Sequence, residues 1–122
     1  MKVSILGVGL IGGSIGLAAR LAGQQVSGYD SDPEVLRAAL ELGAIDEQAS
    51  DIATAVRGAE VVFAATPVGT LPEIVRQALE LAAPDCVISD VGSTKQVVGA
   101  ASADPRFIGG HPLAGAETAG VR

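Results

Sequence analysis

The chain holds one histidine, His111, set between Gly109-Gly110 and Pro112. Imidazole exchanges a proton near neutral pH, so a histidine in a loop stiffened this way is a candidate general base. Upstream, the run Asp90-Val91-Gly92-Ser93-Thr94-Lys95 gathers an acid, two hydroxyls and an amine. Read alone, Ser93 could simply cap a following helix. Near the start, Gly7, Gly9 and Gly12 are spaced as G-x-G-x-x-G, and Asp30 stands 18 residues beyond Gly12.

That glycine spacing suits the cradling of phosphates. Gly7 permits a tight turn out of a strand, Gly9 lets a pyrophosphate approach the backbone, and Gly12 lets a helix pack close to a sheet. Backbone N–H groups near Leu10 and Ile11 would then point at the phosphates from a helix N-terminus. Asp30 can accept both hydroxyls of an adenosine ribose and would repel a 2′-phosphate, and no arginine follows immediately to receive one. The expected cofactor is therefore NAD rather than NADP, with Asp30 and Ser31 as candidate contacts. At Ala65-Thr66-Pro67-Val68 a proline forces a turn, which places Thr66 and Pro67 beside the expected nicotinamide.

These residues need a scaffold that brings them to one edge. The chain alternates strand and helix signals throughout. Lys2 to Leu6 reads as a strand, Leu10 to Ala22 as a helix stopped at Gly23, and Gln25 to Tyr29 as a second strand. Ser31-Asp32-Pro33-Glu34 reads as a capping box opening a helix to Leu42, with Gly43 as the stop. A short strand is expected near Ile45 to Gln48, then a brief helix capped by Ser50 and running through Val56. A strand follows over Glu60 to Thr66. Thr70-Leu71-Pro72-Glu73 reads as a second capping box with a helix to Ala82. Cys86 to Asp90 and Phe107 to Gly109 read as strands, with a helix between them capped by Ser93 or Thr94. This alternation predicts an α/β fold: a Rossmann-type, doubly wound parallel sheet in three α/β/α layers, with ligands at the carboxyl ends of its strands.

Composition agrees with one such domain over 1–122. The 122 residues are 48% hydrophobic but only 2% aromatic, so the core must be aliphatic, as in a parallel sheet covered on both faces. A net charge of −6 argues against nucleic acid as a partner. The lone Cys86 excludes an internal disulfide, fits a cytoplasmic protein, and reads as a buried strand residue. Val3 to Ala19 carries no charge and could pass for a membrane segment, but five glycines interrupt it; a buried strand entering a buried helix explains it better, and no membrane partner is expected.

The segments Gly7-Val8-Gly9-Leu10-Ile11-Gly12-Gly13-Ser14, Asp90-Val91-Gly92-Ser93-Thr94-Lys95 and Phe107-Ile108-Gly109-Gly110-His111-Pro112-Leu113-Ala114-Gly115-Ala116-Glu117 together resemble the prephenate and arogenate dehydrogenases of tyrosine biosynthesis. The first segment is shared with many dehydrogenases; the last two are much more specific. The resemblance implies NAD-dependent oxidative decarboxylation of a cyclohexadienol acid, prephenate or arogenate. Hydride leaves the ring carbon bearing the hydroxyl, and carbon dioxide departs as the ring becomes aromatic. It implies that His111 is the catalytic histidine that bonds this hydroxyl and helps remove its proton. Ser93 matches a serine beside that histidine and the substrate, and Glu117 an acidic position near the substrate entrance. No metal is implied. Family members continue into a mostly helical domain that supplies a homodimer interface and the basic residues for the substrate carboxylates. Lys95 is the nearest candidate for that task here. The chain therefore reads as the front part of a longer protein, and these residues alone are expected to bind NAD without useful turnover. An apolar surface around Pro112 to Ala114 is expected where the second domain would pack. Two other readings stay open: a different NAD(P)-dependent hydroxyacid or imine dehydrogenase, and a noncatalytic NAD-binding sensor module.

Overall fold

The computed structural model describes residues 1–91 and 104–108. Within them the order is β1 (Lys2–Leu6), α1 (Leu10–Leu21), β2 (Gln25–Tyr29), α2 (Pro33–Glu41), β3 (Glu47–Gln48), α3 (Ile52–Val56), β4 (Val61–Ala64), α4 (Leu71–Leu81), β5 (Val87–Asp90) and β6 (Phe107–Ile108). A single 3-10 turn, Val68–Thr70, leads into α4. All neighbouring strands pair in parallel, in the order β3-β2-β1-β4-β5-β6. This is the doubly wound arrangement that the alternation predicted, with its reversal of winding between β1 and β4.

The sheet separates two aliphatic cores. On one face, Val3, Ile5 and Val26 pack with Ile15 and Ala19 of α1 and Leu36 and Ala39 of α2. On the other, Leu6, Val62 and Ile88 pack with Ile52, Ala55 and Val56 of α3 and Ala78 of α4. Successive strand residues point to opposite faces, so the near-continuous apolar runs feed both cores at once. The uncharged stretch at the start divides into β1 and the 12-residue α1. At about 1.5 Å per residue that helix is far shorter than a bilayer core. No helix among the described residues is long and apolar enough to cross a membrane.

Three helix starts differ from the reading of the sequence. The cap of α2 is Asp32, not Ser31: the Asp32 carboxylate accepts the Glu34 N–H at 2.9 Å. Proline prefers the first helical position, so Pro33 selects the residue before it. The cap of α3 is Asp51, not Ser50, with its carboxylate accepting the Thr54 N–H at 2.7 Å; the Thr54 side chain first, and that N–H second, hold its carboxyl below the usual range. At α4, Thr70 occupies the cap position but its hydroxyl donates back to the Pro67 carbonyl at 2.9 Å. The 3-10 turn already supplies that carbonyl to the Thr70 and Leu71 N–H groups, so the helix start needs no side-chain cap.

Candidate nucleotide site

The register lines up the strand ends. Leu6 pairs with Tyr29 on one side and Ala64 on the other, and Ala64 pairs with Asp90. The next residue of each strand therefore falls along one edge: Gly7, Asp30, Ala65 and Val91. Backbone bonds tie this edge, with Gly7 N–H to the Tyr29 carbonyl at 2.7 Å, Ala65 N–H to that of Leu6 at 2.7 Å and Val91 N–H to that of Ala64 at 2.9 Å.

A cleft of about 590 Å³ opens on this edge, lined by Gly7, Gly9, Leu10, Ile11, Asp30, Ser31, Asp32, Ala65, Thr66 and Pro67 among others. Eight of the nine residues expected to contact a cofactor thus stand on one wall. The ninth, Gly12, is buried behind it. A Cβ on Gly12 would overlap the Gly7 carbonyl oxygen, so its lack of a side chain lets α1 sit against the turn. Gly7 has φ +95°, and a Cβ there would lie 2.8 Å from the Ala65 carbonyl carbon and the Thr66 nitrogen. A Cβ on Gly9 would meet nothing within 4 Å, which leaves open space where phosphates would come closest.

The first turn of α1 is open to an anion. Its cap residue, Gly9, has no side chain to cap with, and no acid follows in that turn. The N–H groups of Leu10, Ile11 and Gly12 therefore lack intrahelical partners, and the helix dipole adds partial positive charge there. The Asp30 carboxylate holds the turn from the other side. Its Oδ2 accepts the Val8 N–H at 3.0 Å, and its Oδ1 accepts the Asp32 N–H at 2.9 Å. Each oxygen has a second lone pair, so the carboxylate can still receive ribose hydroxyls. Asp30 thus organises the start of α2 as well as lining the cleft. On the β4 side, Thr66 Oγ1 is buried with no hydrogen-bond partner among the described residues.

Asp32, Val35, Ala65 and Val91 also line the cleft and were not singled out from the sequence. A signal existed only for Asp32, through Pro33. The others are recognisable only once the strand ends are in register. Ser93, Lys95, His111, Glu117 and the Pro112–Ala114 surface lie outside the described residues. Asp90 ends β5 fully buried. Burial pushes the Cys86 thiol up, away from the reactive thiolate form.

A second hollow among the described residues, about 650 Å³, lies between α4 and the turn before β6. Both of its cations are already committed: Arg76 bonds Glu73 and Glu80 along α4. Arg106 donates to the carbonyls of Leu79, Ala82 and Ala83 at the end of α4 and to Asp104, whose carboxyl it holds below the usual range. This is a helix-end clamp, not a substrate contact.

The family model described as "Prephenate dehydrogenase, nucleotide-binding domain" matches residues 15–122. The chain belongs to the prephenate dehydrogenase family. Within that family it is 42% identical to the prephenate dehydrogenase of Bacillus subtilis, over 99% of this chain and 35% of that protein. Among solved structures it resembles prephenate dehydrogenase from A. aeolicus, crystallised with hydroxyphenyl propionate and NAD+, at 34% identity and TM-score 0.80 over 94% of this chain and 42% of the other. Synechocystis arogenate dehydrogenase matches at 26% identity and TM-score 0.80, over 89% of this chain and 40% of the other. The chain thus spans about a third of the curated relative's length. What it shares with these family members is the nucleotide-binding domain.

Proposed function

We propose that this chain is the NAD-binding domain, 1–122, of a prephenate or arogenate dehydrogenase. It would act on a small cyclohexadienol acid within a cytoplasmic homodimer whose helical second domain completes the substrate site. The carrying observation is the cleft itself, where an uncapped helix N-terminus and the Asp30 carboxylate flank open space at Gly9. That arrangement fits a dinucleotide, with pyrophosphate on the Leu10, Ile11 and Gly12 N–H groups and the adenosine ribose on Asp30 and Ser31. Thr66 and Pro67 would flank the nicotinamide half, where Thr66 Oγ1 can give a bound ligand the bond it lacks within the described residues. The bound nicotinamide supplies an acceptor for hydride.

The remaining roles fall to this chain's own groups. Hydride loss from the carbon bearing the hydroxyl builds a carbonyl, so the hydroxyl proton must leave; His111 takes it as general base. Ser93 holds His111 and the hydroxyl together, and Glu117 lies toward the substrate entrance. The likeness of the segments around Ser93 and His111 to the family's motifs supports these assignments. In the full-length protein, His111→Asn should lower kcat with prephenate or arogenate roughly 100-fold or more, with the NADH Kd unchanged. Retained turnover in that variant would exclude the base role, and no turnover in the unaltered full-length protein would favour a noncatalytic module.

A further inference from the structure

The helices differ on the side that faces away from the sheet. The exposed residues of α2 include Glu34, Arg37 and Glu41, and those of α4 include Glu73, Arg76 and Glu80. A surface helix ordinarily turns such a polar side to water. α1 does not. It packs Gly12, Ile15, Gly16 and Ala19 inward, yet its exposed side carries Leu10, Ser14, Leu17 and Leu21. Leu10 and Leu21 are 89% and 88% exposed, and Leu42 at the end of α2 is 75% exposed; no large hydrophobic residue among those described is more exposed than these three. Leu10, Leu17 and Leu42 wall an apolar groove of about 400 Å³ between α1 and α2, and no charged residue lines it. An apolar face of this kind marks an interaction surface. The polar groups of α1 are already satisfied. Its one charged residue, Arg20, bonds Asp46 at 2.9 Å and the Gly43 carbonyl at 2.8 Å, and the Ser14 hydroxyl donates to the Leu10 carbonyl at 2.9 Å. Covering the stripe therefore leaves no hydroxyl without a bond.

We infer that the outer side of α1 is a self-association surface, on which two copies of this chain pack α1 against α1, antiparallel, about a two-fold axis midway between Ser14 and Leu17. The spacing selects this partner. From Leu10 the stripe steps by four, three and four residues, which reads the same in both directions. In an antiparallel pair, Leu10 of each copy meets Leu21 of the other, and Leu17 meets Ser14, large against small. Such self-complementarity is what a two-fold interface between identical subunits requires. Charge agrees: the chain carries −6 overall, but α1 holds no acid, so two copies can meet here with the least repulsion. The leucines and their rim, counted on both copies, offer on the order of 1,000 Å², the small end of specific interfaces. This contact is additional to the homodimer interface proposed for the helical domain, and it does not depend on what the cleft binds.

The test is sedimentation velocity of the 122-residue chain over a concentration series. The parent should pass from monomer to dimer with a Kd on the order of tens of micromolar, as suits so small an interface. Leu17→Lys and Leu17→Glu each place like charges beside the axis and should raise that Kd about tenfold or more. Their Tm should stay within roughly 4 °C of the parent, because the position is exposed. An equimolar mixture of the two should associate with a Kd within about threefold of the parent value, since the introduced charges then attract across the axis. Leu21→Lys, at the end of the stripe, should also weaken the dimer and serves as a second variant if position 17 disturbs the fold. Leu81→Lys removes an exposed leucine from α4 and should leave the Kd unchanged. A parent that stays monomeric to about 1 mM would overturn the inference and leave the stripe to another segment or another partner. A dimer indifferent to the changes at 17 and 21, or weakened equally by Leu81→Lys, would overturn it as well. Weakening by both changes at 17 without recovery in the mixture would overturn the antiparallel pairing.

Discussion

On the β2 side of the cleft, Asp30 and Asp32 spend their carboxylates on backbone N–H groups of Val8, Asp32 and Glu34. On the β4 side, Thr66 keeps a buried hydroxyl with no partner among the described residues. The difference is one of preparation. The β2 side is held by bonds that exist without a ligand, so its shape is set in advance. The β4 side keeps an unmet donor, which costs stability until something bonds it. On the proposed reading, one side fixes where a dinucleotide sits, and the other gains most when it arrives.

The severest way to break this contrast is Gly12→Ala. The added Cβ would overlap the Gly7 carbonyl, which is backbone and cannot rotate away. Moving α1 off the sheet should cost about 3 kcal/mol, lower Tm by roughly 10–20 °C and abolish NADH binding. Thermal melts and a titration check it; a Tm within about 2 °C of the parent would show that the turn is less constrained than its packing implies. A smaller and opposite effect is expected on the other side. Thr66→Val replaces an unbonded hydroxyl with a methyl, so the ligand-free Tm should hold or rise, by up to roughly 1 kcal/mol of added stability. NADH affinity should fall about threefold to tenfold. A clear loss of ligand-free stability would mean that the hydroxyl serves the fold instead.

The smallest effect belongs to a residue remote from both sides. Glu73, on exposed α4, bonds Arg76 and Gln77, which holds its carboxyl down to about 2, with the Arg76 bond the larger cause. A depressed folded value stabilises above the ordinary carboxylate pKa. That contribution fades as pH falls from about 4.5 toward about 2. Because the pair is solvent-exposed, Glu73→Gln should shift Tm at pH 7 by no more than roughly 1 °C. The two proteins should converge as the pH is lowered through that window. Melts at pH 7, 5 and 3 check both points, and a large shift at pH 7 would give α4 a part in the contrast that it should not have.

Much of this was legible in the chain before any coordinates. β1 and β2 fall at the bounds expected from the sequence, each a five-residue strand that stops at a glycine or an acid. The helix starts were less legible. Ser-x-x-Glu and Thr-x-x-Glu spacings matched a capping box at Ser31 and Thr70, but Asp32 and the 3-10 turn won through proline placement and nearby backbone. β3 was expected over four residues and has two, since its only partner is β2 and its pairing is confined to Ser27 and Gly28. Of the site, eight of the nine residues expected to contact a cofactor line one cleft with Gly12 behind it, while Ser93, His111 and Glu117 lie outside the described residues. Ala65 and Val91 joined the cleft through strand register, and Val35 through its place on α2.

The sequence by itself determined the alternation of strand and helix, the aliphatic character of both cores and the three glycines of the turn. Those follow from local rules: periodicity, chain stops, and the absence of a side chain where backbone must come close. Only the tertiary structure decided that Gly12 packs behind the wall while Gly9 forms it, and that Asp30 braces the turn through Val8. Each of these joins groups from different strands or helix starts, and no local pattern records how two such elements come to face each other.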